Sequence, residues 1–168
     1  GNWQEARNLL ENILEKRHDF IDAIILHARA LENLEMLKEA EEEYLQAIEL
    51  QPEALPAHEC LAHLYEATNQ IYKAEDEFRK VVEIKHDHVP AQMSLAKIYI
   101  IRDLHDKALN ALHTVVDIEP EIFEAHLELG RIYHHRNALE KSVEAYRSAI
   151  KIRPEAPQAH VELAEVYL

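Results

Sequence analysis

With 168 residues, 48% of them hydrophobic and 30% charged, the chain has enough apolar material for a packed core and too much for a disordered segment. A formal charge of −14 disfavours phosphate backbones and anionic membrane surfaces as partners. No uninterrupted apolar run approaches the ~20 residues that cross a bilayer, and the single cysteine, Cys60, can staple nothing within the chain. Two glycines and six prolines, in a composition rich in Ala, Leu, Glu and Lys, predict an all-α protein.

In chain order, residues 1–20 read as one helix, the second half of a helical pair. From there the text repeats: Pro52, Pro120 and Pro154 are separated by twice 34 and then 34 residues. Placing each proline thirty-second in a unit divides the chain into 21–54, 55–88, 89–122 and 123–156, with 157–168 left as the first helix of another unit. Small residues recur at the third place (Ala23, Ala57, Ala91, Ala125, Ala159), the eighth (Ala28, Ala62, Ala96, Gly130, Ala164) and the twentieth (Ala40, Ala74, Ala108, Ser142). Large ones recur at the eleventh (Leu31, Tyr65, Tyr99, Tyr133, Tyr167) and the twenty-fourth (Tyr44, Phe78, Leu112, Tyr146). Steps of three and four between these places put each set on one helix face, so every unit is two helices. Glu35, Asn69, Asp103 and Asn137 stand between the two, where Asn and Asp tolerate the left-handed turn that a tight connection needs. The prolines stop the second helix.

A small residue at place 8, a tyrosine-like one at 11, Ala at 20, an aromatic at 24, a small one at 27 and Pro at 32 together resemble the tetratricopeptide repeat family. The match is nearly complete over 123–156. Departures are His27 where Leu belongs, His86 in place of a proline, and His58, Gln92, His126 and His160 in place of the family's tryptophan. The resemblance implies a right-handed α-solenoid of stacked helix-turn-helix units, whose first helices line a groove that receives a protein or peptide.

On the groove-facing places of that scaffold the ninth reads Arg29, His63, Lys97, Arg131 and then Glu165, three cations and a histidine in register in an acidic protein. Such a ladder predicts a grip on carbonyls or acidic groups of an extended partner. The competing reading pairs these cations with Glu32, Glu59, Glu66 and Glu128 within the chain. Apolar residues lie between the cations, Met93, Ile100, Ile101 and Leu127 with Val161 beyond, and predict hydrophobic anchors. The expected ligand is therefore a peptide with apolar anchors and acidic flanks. The fifth places, Ile25, Glu59, Met93, Leu127 and Val161, contain no lysine, so the resemblance stops short of the subgroup that clamps C-terminal carboxylates.

Sharper chemistry finds little support. His58, Cys60 and His63 share a helix but supply too few ligands for a metal site, and no phosphate loop, nucleophile elbow or zinc-protease spacing occurs. Neither a cofactor nor an enzyme is expected, and the compartment is not encoded. Trp3, Leu10 and Leu14 near one end and Leu163 and Tyr167 near the other are expected to be bare, which suggests a piece of a longer array or head-to-tail self-association. An interaction segment of a larger enzyme or secretion machine is the remaining alternative.

Overall fold

In the computed structural model, which describes residues 2–168, each periodic stretch becomes a helix, and among the described residues no strand forms. The first of two units runs to His86 and holds α1 (Trp3–Leu14), α2 (Ile21–Asn33), α3 (Leu37–Leu50), α4 (Leu55–Ala67) and α5 (Ile71–Ile84). The second, Asp87–Leu168, holds α6 (Val89–Ile101), α7 (His105–Ile118), α8 (Phe123–His135), α9 (Leu139–Ile152) and α10 (Pro157–Val166). Within each unit consecutive helices pack on one another, as short connections dictate.

The connection inside each helix pair is three residues long and takes one form four times. Glu35, Asn69, Asp103 and Asn137 all have positive φ, between 58° and 62°. The next residue donates its N–H back to the carbonyl at place 11: Met36 to Leu31 at 3.0 Å, Gln70 to Tyr65 at 2.8 Å, Leu104 to Tyr99 at 2.8 Å and Ala138 to Tyr133 at 2.9 Å. Left-handed residue and backward bond together satisfy carbonyls that a helix end would otherwise leave bare. Glutamate is the poor choice among the four, because a non-Gly residue held left-handed costs ~1–2 kcal/mol and only Asn or Asp relieves this through its short polar side chain. Glu35→Asn is accordingly expected to stabilise the protein by about 0.5–1 kcal/mol in urea unfolding.

Proline is not required to end the second helices. Lys85, before His86, is as extended (φ −136°, ψ 94°) as Gln51 before Pro52 (φ −139°, ψ 95°).

Packing follows the two column types. Ala28, Ala40, Ala62, Ala74, Ala96 and Ala108 are buried, and so are Tyr44, Phe78 and Leu112. In the last pair Gly130 and Ser142 stand where the others have two alanines. The Ser142 hydroxyl donates to the Gly130 carbonyl at 2.9 Å, so its polarity is satisfied inside the core. His27, in a leucine column, is buried and only half satisfied: Nδ1 lies 2.7 Å from Glu43, while Nε2, 3.8 Å from Glu11, makes no hydrogen bond. Burial pushes the Glu43 carboxyl up against the opposing pull of His27.

The histidines at place 4 show why tryptophan is dispensable there. Nε2 of His58, His126 and His160 lies 2.9, 2.8 and 2.8 Å from the carbonyls of Pro52, Pro120 and Pro154. Each ring must donate there, and it fastens the first helix of a pair to the turn that precedes it. Across the pairs a second device recurs. Lys73, Lys107 and Lys141 sit 4.7, 5.4 and 5.5 Å over the rings of Tyr65, Tyr99 and Tyr133. The first pair has neither partner, with Leu31 and Glu39 at those places.

Candidate functional site

Residues of the first helices that escape the core line two cavities, one in each unit and in the same register of the repeat. In the first unit Arg29 and Glu32 of α2 face Pro56, Glu59, Cys60 and His63 of α4 across about 410 Å³. In the second, α8 contributes Arg131, His134 and His135 and α10 contributes Val161, Glu162 and Glu165, with Tyr146 behind, around about 730 Å³.

The cations of the ninth place are not equivalent. Arg131 is held by its own chain: Nε donates to both Glu162 oxygens at 2.8 and 3.0 Å, one terminal nitrogen to Glu128 at 2.6 Å and the other to Glu162. The Glu162 bond, helped by Glu128, holds the guanidinium pKa above its usual value even though burial opposes it. Tyr146 also donates to Glu162, at 2.8 Å. Burial, then that bond, drives the phenol pKa up. Glu162 thus takes the position where a partner's carboxylate was expected, and Arg131 does not offer an open anion site. The signal was present in the sequence as a glutamate at place 6 of the next unit, facing an arginine at place 9.

His63 lies 3.4 Å from Glu66 and edge-on to the Phe78 ring at 5.0 Å. Arg29 and Lys97 are exposed and form no ion pair among the described residues. The Cys60 thiol lies by Tyr44 and Arg29, and burial raises its pKa. His58, Cys60 and His63 therefore turn to separate partners, and among the described residues no group of three or more His, Cys, Asp or Glu could hold a metal.

The apolar residues also sort themselves. On α6, Ile101 is 71% exposed and Met93 and Ile100 are partly exposed; on α10, Val161 is 56% exposed. Leu127 corrects the expectation of an exposed anchor. It is only 7% exposed and belongs to a core cluster with Phe123, Tyr146, Ala149 and Ala159. Leu163 packs against the same cluster and is partly covered, as are Leu10 and Leu14 on α1, which packs on α2. The bare apolar residues of α1 are instead Trp3, Leu9 and Ile13, and of the C-terminal segment Val161, Tyr167 and Leu168. None of the ten helices is long and apolar enough to cross a membrane among the described residues.

The tetratricopeptide repeat family matches residues 21–53 and 59–88, and a family described as TPR repeat matches 130–168. The chain belongs to the tetratricopeptide repeat family, whose members are protein-interaction scaffolds. No curated protein matches it. Among solved structures, a crystal structure of MamA superimposes with a TM-score of 0.83 at 16% identity, over 92% of this chain and 91% of that one. MamA 41-end from Desulfovibrio magneticus RS-1 gives 0.79 at 19% identity, over 92% and 87%. A tetratricopeptide repeat protein from Parabacteroides merdae gives 0.82 at 16%, over 99% of this chain and 66% of its own. Likeness at such identity concerns the fold.

Proposed function

We propose that the protein is a non-catalytic scaffold that receives an extended segment of a partner protein on the inner places of its first helices. The observation that carries this reading is the recurrence of a cavity at one register in both units, between α2 and α4 and between α8 and α10. Exposed apolar residues, Val161 in the wall of the α8–α10 cavity and Ile101 at the end of α6, would supply the anchoring surface that a side chain of the segment displaces water from. Panning a random peptide library against the protein tests it. Selected peptides are expected to lose about tenfold or more in affinity to Val161→Asp or Ile101→Asp, which introduce a charge where an apolar anchor would be buried. Binders insensitive to both and displaced by changes on the outer helices α3 or α9 would overturn the reading.

A second reading is self-assembly, in which α1 of one copy meets α10 of the next. It rests on the exposed Trp3, Leu9 and Ile13 at one end and Val161 and Tyr167 at the other. A molar mass that rises with concentration and falls back with Leu9→Asp is its signature. A segment of a larger enzyme or secretion machine would use the same surfaces.

A further inference from the structure

We infer that the cavity between α8 and α10 takes a cationic side chain, so that the partner segment is basic rather than acidic where it enters there. This inference rests on the scaffold reading and assigns the chemistry of its ligand.

The two cavities share one charge pattern. Each presents a single arginine and two glutamates: Arg29 with Glu32 and Glu59, and Arg131 with Glu162 and Glu165. In the larger cavity the cation is already neutralised, because Arg131 is forked onto Glu162 and bonded to Glu128 as well. An entering carboxylate would have to displace Glu162 from Arg131 and Tyr146, and it would then face the freed Glu162 and Glu165 at short range. That exchange gains nothing and adds repulsion. A lysine or arginine meets the opposite situation. The Glu165 carboxylate forms no ion pair among the described residues and lies at the cavity edge on α10, one turn beyond the exposed Val161. The aliphatic stem of the incoming residue can lie along Val161 while its head group reaches Glu165. The overall charge of −14 attracts such a segment and repels an acidic one. Apolar wall and free carboxylate together select an alternation of hydrophobic and basic residues.

Labelled peptides in which leucine alternates with lysine, serine or glutamate test the assignment by fluorescence anisotropy. The lysine peptide is expected to bind most tightly and to weaken as salt is raised. Glu165→Lys should reduce that binding by about tenfold or more. A lysine in the last turn of α10 suits the helix dipole, so the fold is kept, and circular dichroism verifies this. Glu144→Lys, on the exposed side of α9, makes the same change in net charge and should have a far smaller effect. Equal losses in the two variants would reduce the binding to general electrostatics and overturn the inference. Tighter binding of the serine or glutamate peptide, sensitive to Val161→Asp, would overturn it while leaving the scaffold reading intact. Failure of all three peptides to bind would overturn both.

Discussion

Gly130→Val is expected to destabilise the protein by about 3 kcal/mol, at the upper end of the cost of overfilling a core. A Cβ built at Gly130 would fall 2.4, 2.6 and 2.8 Å from ring carbons of Tyr146. That ring cannot swing away cheaply. It is buried, packed against Phe123, Leu127, Ala149 and Ala159, and tethered through its hydroxyl to Glu162. Alanine at the same place should cost less, because its better helix propensity returns about 1 kcal/mol. The third unit shows one alternative pairing, Ala96 with Leu112, whereas the first two set Ala28 and Ala62 beside the aromatic Tyr44 and Phe78. Gly130→Ala combined with Tyr146→Leu should therefore be markedly less harmful than the two single costs added together. Urea unfolding of the singles and the double measures this. Additive losses would show that the close approach at Gly130 is not what the ring constrains.

The second large effect lies in the first unit. His58 is 5% exposed and both ring nitrogens face acceptors, Nδ1 at 2.6 Å from Glu77 and Nε2 at 2.9 Å from the Pro52 carbonyl. Only the imidazolium can donate to both. The Glu77 bond raises the pKa of His58 above its usual value, with the Pro52 carbonyl assisting and burial and Lys80 opposing. His58→Ala removes both bonds and leaves a partly buried carboxylate and a carbonyl unpaired, at a cost of about 2–3 kcal/mol. His58→Gln, which imitates Gln92 at the same place of the third unit, can still donate to Pro52 and should cost about half as much.

The pH dependence has a definite sign. Because the folded pKa is the higher one, folding takes up a proton, and the contribution is complete below the unfolded value of about 6.5. It is lost as pH rises through the folded pKa. The stability gap between the wild type and either variant should thus be widest at mildly acid pH and should narrow toward alkaline pH. A gap that is constant or widens with pH would assign His58 a purely neutral role.

How much of this was legible beforehand differs residue by residue. Helix identity, the place of each tight connection and the burial of the small and large columns follow from local rules. Periodicity sets a helix face, and a short polar residue at the fifteenth place accepts a left-handed turn, so neither needs a distant partner. Glu35 shows the limit of local preference, because the backward bond to Leu31 holds it left-handed in spite of its side chain.

The site was less legible, since its residues act through neighbours that an adjoining unit or turn supplies. Arg131 looks like an open cation in the sequence until Glu162, 31 positions on, is folded against it. Leu127 looks like a surface anchor until it joins the cluster against which Leu163 and Val166 of α10 also pack. His58, His126 and His160 look like isolated polar substitutions until the turn six residues earlier places a proline carbonyl at each ring. The sequence by itself determined an all-helical tetratricopeptide chain, because helix faces and turns depend on spacings of three, four and thirty-four. Which charges stay free and which apolar residues stay exposed was decided only by the tertiary structure, because pairing and burial depend on what the next repeat brings within a few ångströms.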